Sequence, residues 1–165
     1  MVPTMSFPAA ESPPDPDQSA PQDKFAFLRE ITGTQKHRNK TFYQHLFNVY
    51  TYLKKHGAPE EVCDAGLFHS IYGTESYGFQ NHRITREVVR GFIGDYAEEL
   101  VYIFCTTKDR FKAIVNNTMA LSARQARDLC CIEFANMWDQ NKDRRYQERL
   151  IMLGQAIVRL ESGNQ

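Results

Sequence analysis

Ala65-Gly66-Leu67-Phe68-His69-Ser70-Ile71-Tyr72-Gly73-Thr74-Glu75 is the stretch on which the rest of the chain turns. Leading into it from Glu60, residues Val62, Cys63, Ala65, Gly66, Leu67 and Phe68 are apolar nearly all round, the pattern of a helix buried on every side. His69 falls near the C-terminus of that helix. A hydroxyl, a Gly-Thr turn and a carboxylate follow at once, so polar chemistry gathers where the most buried helix stops. Upstream, Phe42, His45, Leu46, Val49, Tyr50 and Leu53 recur at three- and four-residue intervals. They predict an amphipathic helix running to about His56, with Thr41 as its N-cap and His45 on its apolar stripe. Gly57 closes that helix, and Pro59 suits the first turn of the next. The pair of helices predicts one site, with both imidazoles on its floor.

Outward from this centre, residues 24–31 carry Phe25, Phe27, Leu28 and Ile31 at helical spacing, and Thr32-Gly33-Thr34 stops them. His37-Arg38-Asn39-Lys40 reads as a small basic loop that either touches an anionic group on a ligand or is simply solvated. Residues 85–93 predict a helix with Val88, Val89 and Phe92 inward. Gly94-Asp95 opens another, striped by Ala97, Leu100, Val101 and Phe104. Residues 109–115 supply a turn or two more. Ser122 caps a long helix with Ala126, Leu129, Cys130, Glu133, Phe134 and Met137 along one face, and residues 144–160 form the last. No period-two alternation is sustained, and no internal repeat occurs. The expectation is an all-α bundle of about six to eight helices, a single domain over residues 23–165.

Residues 1–22 differ in kind. Pro3, Pro8, Pro13, Pro14, Pro16 and Pro21 lie among Ser, Ala, Glu11, Asp15 and Asp17, with no Lys or Arg. Such a segment buries too little apolar area to offset its ordering entropy. It is expected to be a disordered tail, a docking peptide or a spacer.

In the 165-residue chain, 20 Lys and Arg balance 20 Asp and Glu. Nothing steers the whole toward nucleic acid or anionic lipid. No apolar run approaches a bilayer span, and no basic-then-apolar leader opens the chain. A cytoplasmic protein with no membrane partner is expected, and the Asn39-Lys40-Thr41 and Asn116-Asn117-Thr118 triads read as chance matches. Of the four cysteines, Cys63, Cys105, Cys130 and Cys131, none forms a Cys-x-x-Cys pair. They read as thiols in a reducing compartment, not as zinc ligands.

Two imidazoles on adjacent buried helices can bind one manganese, iron or zinc ion. A stable protein site supplies three or more ligands, so Glu75, Asn136 and Ser70 are the candidate additions. The competing reading is a hydrogen-bonded pair of core histidines. His82 falls in a loop, where solvation competes. Arg83, Arg86 and Arg90 share one face of a predicted helix, where guanidinium groups can grip a phosphate or carboxylate; a solvated face with Glu87 pairing locally is the alternative. Glu133, among apolar neighbours, needs a cation or a raised pKa, or else orients a histidine. Residues 142–145 and Arg149 read as an exposed charged end.

Thr41-Phe42-Tyr43-Gln44-His45-Leu46-Phe47-Asn48-Val49, then Ala65-Gly66-Leu67-Phe68-His69-Ser70-Ile71, resembles the HD metal-dependent phosphohydrolase superfamily. That superfamily carries a first His on one helix, a His-Asp pair ending the next, and a closing Asp on a later helix; here the histidines are 24 residues apart. Gly94 through Val101 resembles the segment after the catalytic loop in guanosine-alarmone hydrolases. Cys131-Ile132-Glu133-Phe134-Ala135-Asn136 resembles the stretch holding the closing Asp, and the likeness spans roughly residues 35–140. Ser70 and Asn136 stand where the superfamily has Asp, so a bound dication would be poorly compensated.

The resemblance implies a compact HD-like bundle and a small-molecule enzyme that hydrolyses a phosphorylated or other anionic metabolite. His45, His69 and Asn136 would hold a divalent metal, Ser70 and Glu75 would take part in the reaction, and Arg83 and Arg86 would hold the substrate anion. Oxygenase chemistry at an iron ion is a variant of this reading. The alternatives are a metal-free acid–base set of His69, Ser70 and Glu75, a non-catalytic metabolite-binding pocket, and a helical adaptor whose histidines only pack.

Overall fold

The computed structural model describes residues 23–163; the expected tail, residues 1–22, lies outside them. Seven helices account for most of the described chain: α1 (Lys24–Thr32), α2 (Phe42–Lys55), α3 (Glu60–Phe68), α4 (Arg86–Thr106), α5 (Arg110–Val115), α6 (Ala123–Gln140) and α7 (Gln147–Ser162). The fold is all-α, as the periodicity predicts. One small feature departs from that reading. The basic loop is the tip of a hairpin, β1 (Lys36–His37) paired antiparallel with β2 (Lys40–Thr41). Two residues per strand are too few to show alternation.

Local chemistry sets the helix ends. Thr41 accepts a hydrogen bond from the Gln44 N–H, and the Gln44 side chain accepts one from the Thr41 N–H, a reciprocal cap that fixes where α2 begins. Ser122 and Gln125 do the same for α6. Gly94, at φ 80, interrupts α4, so the two helices predicted on either side of it meet end to end.

α3 is the centre of the bundle. Val62 through Phe68 are all buried, and α3 packs against α2, α4 and α6. Its contact with α2 is close because Gly66 has no side chain. A Cβ there would stand 2.4 Å from Leu53 Cδ1 and 3.2 Å from Val49 Cγ1. Helix propensity alone favours Ala over Gly by about 1 kcal/mol, whereas overpacking costs about 1–3 kcal/mol. Packing wins here because Leu53 is itself buried. Gly66→Ala is therefore expected to lower the midpoint of thermal unfolding, followed by circular dichroism, by several degrees; a raised midpoint would mean that α2 gives way without cost.

No helix among the described residues is long and apolar enough to cross a membrane. The four cysteines are free thiols. Burial pushes Cys63 and Cys131 up to about 11 and Cys105 and Cys130 up to about 12, so they stay protonated and pack as small apolar groups.

Candidate functional site

The cap at Thr41 sets the rotation of α2, which turns Phe42, His45, Leu46 and Val49 inward. α3 ends at His69, whose ring closes the helix. Its Nδ1 lies 2.7 Å from the Gly66 carbonyl oxygen, one of the acceptors that a helix C-terminus leaves without an intrahelical donor. The two imidazoles then meet edge to face with Nε2 atoms 3.1 Å apart. Both are sealed, with His45 1% and His69 0% exposed.

The outer nitrogens decide the chemistry of this contact. A backbone carbonyl only accepts, so His69 Nδ1 carries a hydrogen and donates it to Gly66. His45 Nδ1 lies 2.7 Å from Asp139 Oδ2, and the ionised carboxylate likewise only accepts. If both rings are neutral, each Nε2 then presents a lone pair to the other. Two lone pairs at 3.1 Å repel, and a proton on one ring or a metal ion bound to both would relieve that repulsion.

Asp139 is the anion of the cluster. Besides His45, it accepts from Lys40 Nζ at 2.8 Å and from Asn48 Nδ2 at 2.8 Å. Burial works against its charge, but the three donors outweigh it and hold its pKa well below the usual carboxylate range. His37, from β1, stacks on His45 with centroids 4.2 Å apart and planes 9° apart, and meets Tyr77 edge-on at 4.8 Å. Burial first, then the neighbouring His45, pushes His37 down to about 4. Burial, then His45, also holds His69 well below the ordinary imidazole value.

Two polar clefts flank this core. One, of about 220 Å³, is lined by His37 and Asp139 with Arg38, Lys40, Lys142 and Arg145 around them. The other, of about 260 Å³, is lined by Glu75, Arg110, Glu133, Asn136, Tyr146 and Arg149 among others. Arg38 and Gln140 belong to both. Arg110 lies over the Phe104 ring at 4.0 Å, and Phe104 meets His69 edge-on at 5.2 Å, so the second cleft backs onto the far imidazole.

A family model described as a domain of unknown function (DUF6817) matches residues 27–110. The chain belongs to that family. No curated protein and no solved structure matches it. The DUF6817 segment contains His37, His45 and His69, whereas Asp139, on α6, lies beyond it.

The structure brings some of the residues singled out in the sequence together and separates others. His45 and His69 touch. Glu75 and Asn136 share the second cleft. There Glu75 accepts from the Asp109 N–H at 3.0 Å, and Asn136 donates to Glu133 at 3.2 Å while accepting from Gln140 at 2.7 Å. Ser70 is buried in the turn after α3, where its carbonyl accepts from the Gly73 N–H. Arg83 pairs with Glu30. Arg86 grips Glu98 with two nitrogens, at 2.7 and 2.8 Å, and also reaches Glu99, with its guanidinium 3.8 Å above Tyr102. Arg90 joins it at Glu98. The arginine row thus neutralises a carboxylate that is 0% exposed, and neither Arg83 nor Arg86 lines the two clefts.

Sequence reasoning overlooked Asp139 and Arg110, and read His37 only as part of a basic loop, not as a ring stacked on His45. Glu133 has the cation that its burial demands, Arg110 at 3.1 Å, and the alternative role of orienting a histidine falls to Asp139. The available signal was spacing, since Asp139 follows Asn136 by three residues on the same helix.

Proposed function

We propose that this chain is a small-molecule enzyme of the HD-like type, acting on a phosphorylated or other anionic metabolite by acid–base chemistry, with one proton held between His45 and His69. The observation that carries the reading is the 3.1 Å Nε2 contact between rings whose Nδ1 atoms are both committed elsewhere. His45 is the ring that donates from both nitrogens, to Asp139 and to His69. His69 is the neutral acceptor, in keeping with its depressed pKa. Asp139 supplies the counter-charge. His37 is the ring between the first cleft and His45, so its displacement would open a path from substrate to the shared proton.

The HD resemblance implies a divalent metal, and the donor set does not fit one. Among the described residues, no group of three or more His, Cys, Asp or Glu side chains is arranged to hold a metal ion. Asp139 is turned toward Nδ1 of His45, Glu75 is engaged by Asp109, and Asn136 is engaged by Glu133 and Gln140. Spacing points the same way. Two nitrogens each about 2.1 Å from a tetrahedral zinc stand about 3.4 Å apart, whereas an N–H···N contact falls at about 3 Å.

The test uses the purified full-length protein. Elemental analysis is expected to find far less than one equivalent of manganese, iron or zinc. Hydrolysis of p-nitrophenyl phosphate and bis(p-nitrophenyl) phosphate is the activity probe. His69→Gln is expected to lower turnover by about a hundredfold or more while keeping the helical circular dichroism spectrum. Stoichiometric metal that disappears in His45→Ala and His69→Ala would replace the proton with a metal. Absence of turnover, with His69→Gln changing only the melting temperature, would leave a helical scaffold.

A further inference from the structure

Arg83 and Arg86, the guanidinium groups that the sequence offered for gripping an anion, are consumed by Glu30, Glu98 and Glu99. Within the two clefts Arg110 is likewise paired with Glu133, Lys40 with Asp139 and Arg145 with Asp143, while Lys142 lines only the first cleft. Arg38 and Arg149 differ. Among the described residues neither has a carboxylate partner, and both line the Glu75/Asn136 cleft. Each is instead held against an aromatic ring. Arg38 Nη2 donates to the Tyr146 hydroxyl at 2.9 Å, with its guanidinium 5.9 Å from that ring. Arg149 lies 5.0 Å from the Phe111 ring. Such contacts orient a guanidinium without neutralising it.

The backbone at Arg38 is a second, independent sign. Arg38 opens the two-residue hairpin turn at φ 56, in the left-handed region where Gly, Asn or Asp would cost less. The strain is retained at the residue whose side chain crosses to Tyr146, 108 positions away in sequence, and borders both clefts. The Gln140 amide and the Tyr146 hydroxyl stand beside it on a wall that also carries three carboxylates, each already engaged: Glu133 by Arg110, Asp109 by Lys112 and Glu75 by the Asp109 N–H.

We propose that Arg38 and Arg149 are the oxyanion-binding pair of this protein, gripping the phosphate or carboxylate group of a small metabolite in the Glu75/Asn136 cleft. The inference rests on the functional reading above and specifies which residues hold the substrate. At about 260 Å³ the cleft takes a head group or a small metabolite, not an extended polymer.

Calorimetric titration of the full-length protein with inorganic phosphate, and separately with acetate, tests it at low salt and again near physiological ionic strength. Both side chains are exposed, so Arg38→Gln and Arg149→Gln should fold normally. Each is expected to weaken binding of the preferred anion about tenfold, and the double variant to abolish it. Arg83→Gln should leave binding unchanged. Preference for phosphate or for acetate identifies the oxyanion, and either result supports the site. Equal affinity in wild type and both single variants, no binding of either anion, or binding that vanishes at physiological salt would overturn it. Titration needs no turnover, so the two readings fail separately. Loss of anion binding with His69-dependent hydrolysis intact defeats this inference alone; intact binding without hydrolysis defeats the enzyme reading alone.

Discussion

Asp139→Ala is expected to lower the melting temperature by roughly 10 °C and to remove the proton shared by His45 and His69. The carboxylate accepts from Lys40, His45 and Asn48 at once, and its side chain is 12% exposed. Removing one partner of a buried charge network costs about 3–5 kcal/mol, because the groups left behind keep their desolvation penalty. Residual contact with the cleft favours the lower end of that range. At about 2–4 °C per kcal/mol for a chain of this size, the shift is roughly 10 °C. A stability change alone would not separate a proton-holding site from an ordinary buried ion pair, so the second measurement matters more. Imidazole ¹⁵N resonances of the wild type should show His45 with hydrogens on both nitrogens, one of them slow to exchange. Asp139→Asn keeps the shape and one acceptor oxygen but removes the charge that compensates the imidazolium. In that variant the slowly exchanging hydrogen should vanish while the fold survives with about half the loss of stability. A melting temperature within a degree of wild type for Asp139→Ala would mean that the cluster contributes nothing, and the proton between the rings would lose its rationale.

What the sequence made legible was whatever repeats or is local. The apolar intervals of α2 and the all-round apolar character of α3 placed His45 and His69 on neighbouring elements, and the cap at Thr41 marked where α2 begins. The break at Gly94 was readable for the same reason, since a glycine between two apolar stripes changes their phase. The partners of those residues were not legible, because they lie far off in sequence. Asp139 meets His45 across 94 positions and sits in the last turn of α6, past the apolar stripe that drew attention to Glu133 and Asn136. Arg83 and Arg86 have the right spacing for a shared face. Nothing local reveals that Glu98, beyond the Gly94 break, turns back to take Arg86 and Arg90. Charge pattern gives valence, and only the fold gives pairing. The same holds for Arg38. A basic loop is visible in sequence, but its strained turn and its bond to Tyr146 are properties of the assembled bundle.

Acid is expected to unfold this protein earlier than its carboxylates alone require, with the loss beginning near pH 6.5. His37 titrates near 4 when folded, against an ordinary imidazole value of 6.5, and His69 is shifted in the same direction. Between those values the unfolded chain binds protons that the folded chain refuses, so stability falls as the pH drops through that window. The contribution of His37 is complete above pH 6.5 and gone below about 4, and amounts to roughly 3 kcal/mol. Asp139, whose pKa is depressed, adds a further loss below the usual carboxylate range, whereas Asp64, raised chiefly by burial, opposes it weakly. Urea unfolding at half-unit steps from pH 7.5 to 4 measures the slope. His37→Phe separates the contributions, since phenylalanine keeps an aromatic ring over His45 and between Phe42 and Tyr77 but cannot take a proton. The variant should match or exceed wild-type stability at pH 5 and show a shallower acid limb. An unchanged limb would mean that His37 is already free to ionise in the folded protein, and that the ring between the cleft and the imidazole pair is open to water rather than closed over it.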